Sequence, residues 1–445
     1  MVRIATEAFK RFGDDAAPQF ELTINDIPME NNPGLFEKIR PVFINATFED
    51  DIRMSSLMNF EIAVEGTTSP GSPIDWREIL DFKGFQEGNV VKLWMGYGEN
   101  LTFMDAGFIV EWDISGSASE LPKMRIACLD GRHLMQAENR QKNPCYFGIP
   151  DYEIVERVAR LYGFDFDIDQ LATRMGTKTR PTPKDRDDWK FLQKLADMNY
   201  ANLWVDWKED TQSWQLNFNK KDVTGEPEFL FDYNLATGNL LDWSMQFSIK
   251  DQKNSIELLH FDQSNRKVEV TAIVEYNKGE NVKLSSAGTT RYRAVNAITS
   301  GSRVRFNAHG RTIQVISSQP FKNKKDAKSF ADTWLRQNQE DLLTLKGTII
   351  GNEKVRARQV NEVNGISNRV DGLYYMENVK HVMTPGQVFK TEFVARKITD
   401  TALFDRPAVP GGKSGGIVLD KYNRARLVPL PTVISTQKIV GTREL

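Results

Sequence analysis

Between Gly347 and Lys397 apolar and polar residues alternate, the alternation breaks at Gly351, Gly365, Gly372 and Pro385-Gly386, and it resumes after each break. A two-residue period interrupted by turn formers predicts antiparallel strands joined by tight turns. The same period fills the first third of the chain. It predicts short strands at Gln19–Asp26, Pro41–Phe48, Met58–Val64, Val90–Tyr97, Gly107–Ser115 and Met124–Asp130. In Met58–Val64 it puts Phe60, Ile62 and Val64 on one face and Asn59, Glu61 and Ala63 on the other. Short strands at this spacing predict an antiparallel sandwich or barrel, a first β domain over residues 1–140.

The period changes over residues 146–222. Asp151–Tyr162 reads as a helix with Ile154, Val155, Val158, Leu161 and Tyr162 on one face and Gly163 as its stop. Asp185–Asn199 reads as a second helix, with an acidic first turn and a stripe of Trp189, Leu192, Leu195 and Ala196. Ala201–Trp207 and Ser213–Phe218 follow as a hairpin, so this segment is expected to be a small α/β module. Residues 223–345 return to β patterning: Leu240–Ile249 alternates through Leu241, Trp243, Met245, Phe247 and Ile249, as do Val268–Tyr276 and parts of Arg303–Ile316. The polar stretch Asn277–Arg291 reads as a mobile loop. A helix over 325–343, with Ala327, Phe330, Ala331, Trp334 and Leu335 at helical spacing, closes this domain. Residues 346–400 then supply strands of a second barrel, completed by part of 223–345. After Thr399 the Pro, Gly and Ser of DRPAVPGGKSGG mark a linker, and 401–445 reads as linker and extended tail with a β-prone stretch over Ile417–Ile439. That tail is a candidate for adding strands to a neighbour.

Two stretches echo each other. The first has Gly88-Asn-Val-Val, then Met104-Asp-Ala-Gly-Phe-Ile-Val-Glu-Trp, then Lys123-Met-Arg-Ile-Ala-Cys-Leu. The second has Gly351-Asn-Glu-Lys-Val, then Val370-Asp-Gly-Leu-Tyr-Tyr-Met-Glu-Asn, then Phe389-Lys-Thr-Glu-Phe-Val-Ala-Arg. Identities are few and short strands resemble one another by chance, so either a duplication or coincidence fits.

Composition adds bounds rather than identity. The 445 residues suffice for two to four domains, and 40% hydrophobic with 27% charged residues is ordinary for a globular protein. A formal net charge of −2 gives no reason to expect specific nucleic-acid binding. Cys128 and Cys145 form neither a disulfide framework nor a zinc pattern and read as reduced thiols. The N-terminal stretch has no apolar signal region, and no run approaches the ~18 apolar residues of a membrane span. Synthesis in the cytoplasm and no stable membrane insertion are expected.

No chemistry stands out. Asp165, Asp167 and Asp169 begin like an EF-hand loop, but Gln170 and Gly176 stand where Gly and Glu belong, so a solvated strand face is the better reading. Gly412-Lys413-Ser414 ends like a phosphate-binding loop, but Pro407 occupies the required upstream glycine. His133, His260, His309 and His381 have no partner ligand at helical spacing. Carboxylates such as Glu49-Asp50-Asp51 leave a glycosidase pair open, because the needed separation is spatial. The basic cluster Lys322, Lys324, Lys325 and Lys328 reads as a solvated helix start that an acidic surface could contact. No catalytic residue, cofactor-binding residue or metal ligand is assigned.

Three regions carry a resemblance. Gly88–Tyr97 has the form G-x-x-V-x-L-x-x-G-Y and is followed by Gly107 and a strand ending at Leu129-Asp130. Asp187-Asp188-Trp189-Lys190-Phe191-Leu192-Gln193-Lys194-Leu195-Ala196 forms an acidic-aromatic-x-F-L-x-x-L-A helix, with Asn199-Tyr200 where a glycine often stands. The helix Asp326–Leu343 precedes Gly351-Asn352 and then Gly372-Leu-Tyr-Tyr-Met-Glu-Asn-Val-Lys-His381. Over roughly residues 20–400 the chain resembles the baseplate hub proteins of contractile phage tails, the late-control D family, and the hub part of type VI secretion spike proteins. It departs from them at Gly351-Asn352 and Arg356-Ala357-Arg358, where Gly-Pro and then Pro-Gly or Ala-Gly are common, and no stretch reads as a β-helical spike, so a separate spike protein is expected.

The resemblance implies a mainly β protein with α+β insertions, two tube-like antiparallel β-barrels and a small α/β module, assembled as a ring-forming homotrimer. Three chains would offer six similar units to a hexameric tail tube or tail-tip protein and three-fold symmetry to a central spike protein. Baseplate wedge proteins and the tape-measure protein are further implied partners, and the virion is the implied location. A tail-tip cell-wall-degrading enzyme, or the carrier of one, and a peripheral sugar-binding baseplate protein remain as alternatives.

Overall fold

The computed structural model describes residues 17–28, 43–63, 82–98, 100–117, 120–137, 140, 146, 149–171, 187–223, 226–234, 237–248, 343–367, 370–384 and 389–398, and as backbone the strands 255–262, 267–276, 284–286, 289–294, 313–316, 415–419 and 425–429. The first strands are β1 (Pro18–Ile24), β2 (Ile27–Pro28), β3 (Phe43–Asp51), β4 (Leu57–Ala63), β5 (Val90–Tyr97), β6 (Asn100–Ser117) and β7 (Glu120–Leu129). A short helix α1 (Arg132–Ala137) leads to α2 (Asp151–Tyr162), β8 (Asp165–Ile168), α3 (Asp188–Asn199) and the hairpin β9 (Ala201–Lys208) and β10 (Ser213–Lys220). Next come β11 (Leu230–Asp232) and β12 (Leu240–Phe247). Strands β13 (Ser255–Asp262), β14 (Lys267–Tyr276), β15 (Leu284–Ser286), β16 (Thr289–Ala294) and β17 (Ile313–Ile316) form a separate 5-stranded sheet. The chain then runs through β18 (Leu343–Ile350), β19 (Val360–Asn364), β20 (Gly372–Met383) and β21 (Lys390–Lys397), and β22 (Gly415–Leu419) pairs with β23 (Ala425–Pro429).

The architecture is mainly β, and its centre is one 13-stranded sheet in the order β12-β18-β21-β20-β3-β4-β7-β6-β5-β1-β2, with β19 and β11 branching from β20. The two tube-like barrels expected are not closed among the described residues; their strands form one continuous sheet, because β20 of the later segment pairs directly with β3 of the earlier one. Within that sheet the order β3-β4-β7-β6-β5-β1 is repeated by β12-β18-β21-β20-β19-β11, each strand keeping its place along its own segment. Register repeats as well. The β6–β7 ladder skips between Ile109 and Glu111, and β20–β21 skips between Met376 and Asn378. Likewise β3–β4 skips between Phe43 and Asn45, and β12–β18 between Leu240 and Asp242. Matched bulges at matched places are features of a shared backbone plan rather than of chance. One departure is that β1 runs antiparallel to β5, whereas β11 runs parallel to β19.

The structural correspondence corrects the sequence echo in two places. Ile109, paired with Cys128, matches Met376, paired with Ala395, so Gly107 matches Tyr374 rather than Gly372. Gly351 to Val355 is turn, not strand; the match to β5 is β19, in which Val360 faces Tyr375 as Val90 faces Phe108. Just before those strands Gly88 (φ 87) and Arg358 (φ 72) occupy the same left-handed position. Gly88 N donates to Ile109 O at 2.8 Å, and Arg358 N donates to Met376 O at 2.8 Å. The second copy thus places an arginine where glycine is the low-energy choice.

Three cores follow. The first copy buries Phe48, Met58, Phe60, Ile62, Leu93 and Ile126, closed from the second copy by Met383 and Phe389. The second buries Phe231, Leu345, Tyr374, Met376, Val379 and Phe393. The α/β module packs α2 and α3 on β9 and β10, with Ala106, Phe103 and Phe108 of β6 against it. In α3 the N-cap Asp187 side chain accepts from Lys190 N at 2.7 Å, and Tyr200 (φ 53) takes the left-handed C-cap. In α2 Gly163 (φ 72) ends the helix as expected, but Leu161 is exposed and Ala159 takes its buried place. Opposite the cores of the two copies, the sheet carries polar side chains including Glu49, Asn59, Glu61, Arg125, Lys346 and Lys380, and where Val90 and Phe108 share that face the α/β module packs on it. The stretch 277–291, expected as a loop, contains β15 and the start of β16. The expected helix 325–343 lies outside the described residues up to Leu343, which begins β18.

Candidate functional site

The sheet is continuous because β20, past its bulge, pairs antiparallel with β3, from Asn378 opposite Asp51 to Met383 opposite Ala46. On the core side Val379, His381 and Met383 lie across from Asp50, Phe48 and Ala46, and all six are buried. Phe48 and His381 stack with centroids 6.2 Å apart. On the other side the Asn378 amide donates to Glu49 Oε1 at 2.7 Å and Asp51 Oδ2 at 2.9 Å.

Charges are buried at this junction. Arg358 Nη2 donates to both carboxylate oxygens of Asp50 at 2.8 Å, Ala357 N adds a third bond to Oδ2 at 3.1 Å, and the guanidinium lies over Trp204 of the α/β module at 4.9 Å. Burial alone would raise the Asp50 pKa, but Arg358 beside it holds the carboxyl below its ordinary value. Arg356 reaches into the first copy, donating to Phe103 O at 3.2 Å. Nearby Asp105 is pushed well above its ordinary pKa by burial and then by Asp206 and Asp130; its Oδ1 accepts from Ala106 N at 2.8 Å and Trp207 N at 3.2 Å. Tyr97 Oη donates to Gly351 O at 3.0 Å, and Tyr375 Oη to Asn202 Oδ1 at 2.7 Å. Both copies and the module are therefore tied together.

His381 is held neutral. One ring nitrogen lies 3.0 Å from Val355 O and the other 3.0 Å from Thr391 Oγ1, and burial, then Arg356, lowers its pKa from 6.5 to about 3. Between those two values the unfolded chain takes up a proton that the folded chain excludes. His381's contribution to stability is therefore fully present above pH 6.5 and is lost as pH falls toward 3, by about 1.4 kcal/mol per pH unit. Asp105 carries the opposite sign, so the comparison that isolates the histidine is wild type against His381→Gln. Urea melts at pH 7, 5 and 4 should show the variant losing less stability on acidification than the wild type.

The equivalents of β20 and β3 in the repeat are β6 and β12, and both are open. Beyond its bulge β6 runs exposed from Glu111 to Ser117, with Trp112 at 44% and Ile114 at 37% exposure. β12 ends the sheet, pairing only with β18 among the described residues, and leaves Leu241 45%, Trp243 36%, Met245 40% and Phe247 50% exposed. The sequence pattern predicted a strand over Leu240–Ile249; that its apolar residues are uncovered is visible only in the fold.

The other singled-out residues are scattered. Cys128 is buried in β7, where burial raises its thiol pKa. Asp165 and Asp167 lie exposed on β8, and Asp169 Oδ2 accepts from Lys220 N at 2.8 Å. His133 lies on α1, and His260 in the backbone of β13. Cys145, His309, the lysines from 322 to 328 and Gly412-Lys413-Ser414 lie outside the described residues. Among the described residues no group of three or more His, Cys, Asp or Glu side chains could hold a metal ion, and no helix is long and apolar enough to cross a membrane.

Residues 78–385, more than half of the chain, match the family described as the Alg8 N-terminal domain. The chain belongs to that family. No curated protein matches it in sequence. As a fold, this Alg8 N-terminal domain family member is similar to a tail protein from Neisseria meningitidis MC58, with TM-score 0.56 and 9% identity over 86% of this chain and 97% of that one. It is also similar to the 43 kDa tail protein of prophage MuSo2 from Shewanella oneidensis, with TM-score 0.55 and 8% identity over 87% and 99% of the two chains. The prophage tail protein gp18 from Listeria monocytogenes EGD-e aligns with TM-score 0.50 and 10% identity over 86% and 96%. These likenesses show that the chain has a phage tail protein fold.

Proposed function

We propose that the chain is the baseplate hub of a contractile tail, of the late-control D type, and that it works without catalysis. Three chains form a ring that presents six similar units to the hexameric tail tube and three-fold symmetry to the central spike, around a channel for genome or effector passage. Wedge proteins and the tape measure are its further neighbours, and the virion baseplate is its location. The observation that carries this reading is the internal repeat, in which one backbone plan appears twice in one chain with the same strand order and bulges. A ring of three such chains is six-fold to a partner that touches the shared plan and three-fold to one that touches what differs.

Light scattering on the purified protein tests it. The expected mass is three times the 50.8 kDa chain. A monomer at high concentration that stays monomeric when the spike protein is added would overturn it.

A further inference from the structure

One chain contains one finished junction and the two halves of another. The finished one is β20 on β3. The halves are the exposed end of β6 and the edge of β12 left without a neighbour among the described residues, which stand in the repeat where β20 and β3 stand. They are two halves of the same kind of junction, and within one chain they do not meet.

We propose that β6 of one chain pairs antiparallel with β12 of a second copy, in the register that the repeat transfers from the β20–β3 junction. Matching bulges fix that register. Glu111 follows its bulge as Asn378 does, so Trp112 matches Val379 and Ile114 matches His381. Asp242 follows its bulge as Asn45 does, so Trp243, Met245 and Phe247 match Ala46, Phe48 and Asp50. Within the chain Val379 faces Asp50, His381 faces Phe48 and Met383 faces Ala46. Between chains Trp112 therefore faces Phe247, Ile114 faces Met245 and Gly116 faces Trp243.

Three observations fit this occupant and no generic one. The positions equivalent to Trp112, Ile114, Trp243, Met245 and Phe247 are buried in the finished junction. The exchange of residues is complementary in size: small Gly116 opposes Trp243, whereas in the finished junction Met383 opposes Ala46. On the polar face the transferred register sets Asp113 opposite Gln246 and Glu111 opposite Ser248, carboxylates on β6 against donors on β12 and one residue past its end. Apolar edges of this length invite pairing, and a ring removes them all at once. Because each chain has one half of each kind, pairing is head-to-tail and satisfies every edge only when the ring closes. Closure at three chains rests on the hub reading above; the register does not.

Disulfide trapping tests the register. Residues directly opposite in an antiparallel pair bring their Cβ atoms to about 4.5–5.5 Å, within reach of a disulfide, whereas partners four positions off register do not. In a Cys145→Ser background, Ile114→Cys with Met245→Cys and Asp113→Cys with Gln246→Cys cover both alternating pair types. Ile114→Cys with Leu241→Cys is the off-register control, and each single cysteine variant is oxidised alone. On a non-reducing gel at least one in-register pair should yield a covalent three-chain species, and the off-register pair and the single variants should stay at one chain. A three-chain mass in light scattering together with trapping only in the off-register pair overturns the register and leaves the hub reading standing. Dimers from Met245→Cys alone would show β12 pairing with itself and overturn the junction. A protein that never leaves the monomer overturns the hub reading beneath both.

Discussion

Trp112→Asp and Met245→Asp should each leave a folded monomer, and an equimolar mixture of the two should form a dimer that grows no further. The first variant spoils the β6 half of the junction and keeps an intact β12; the second does the reverse. One good contact forms between them, and the remaining halves are both spoiled. A head-to-tail interface predicts this outcome, whereas a two-fold interface would let each variant fail or pair by itself. The magnitude is large. An aspartate enclosed opposite Phe247 or Ile114 escapes burial of its charge by protonating, which at pH 7 costs about 4 kcal/mol, roughly a thousandfold in association at each junction. Both positions are exposed within the single chain, so the melting temperature of the monomer should stay where the wild-type monomer has it. Light scattering reads the masses and thermal melts read the fold.

Arg358→Ala should cost about 3–5 kcal/mol of stability, because it leaves the Asp50 carboxylate buried without its bidentate partner. Arg358→Gly should cost about 1 kcal/mol less, since glycine adopts the φ of 72 without the strain a side chain carries. The ordering glycine above alanine is the informative part: it separates the backbone's demand from the ion pair's. Adding Asp50→Asn to Arg358→Gly should recover much of the loss, because the orphaned charge is gone. Denaturant melts of the three variants measure it. Equal losses for glycine and alanine would show that the left-handed backbone at Arg358 carries no strain.

Much of the fold was legible because a period reports which side of a strand or helix faces inward. The strand Val90–Tyr97 and the helix Asp151–Tyr162 were read to the residue, helped by Gly98 and Gly163 just past their ends. Each difference between pattern and fold has one physical root. Gly351-Asn-Glu-Lys-Val shares the Gly-Asn start of Gly88-Asn-Val-Val while its backbone turns, so it mimicked that strand entry. The echo was aligned two residues out of register because a shift of two keeps every side chain on its own face. Only the bulges at Val110 and Glu377 fix the true match, and a bulge leaves no mark in hydropathy. Asp50 and Arg358 are far apart in sequence, so their pairing is a product of topology alone. Trp112, Ile114, Met245 and Phe247 have the same alternation as buried strand residues elsewhere. Periodicity assigned them a face; whether anything covers that face lies beyond it.

The polar face of the sheet has a consequence of its own. The cores of the two copies lie on its other side, and the α/β module covers this face only around Val90, Phe108 and Tyr375; in the proposed ring the uncovered part would line the bore. Glu49, Glu61 and Asp113 alternate there with Arg125, Lys346 and Lys380. Interleaved charges of both signs offer a passing polyanion or polypeptide no extended patch to settle on, and they hold a film of water against the wall. Such a lining lowers friction: cargo of either sign would slide past it on water rather than bind.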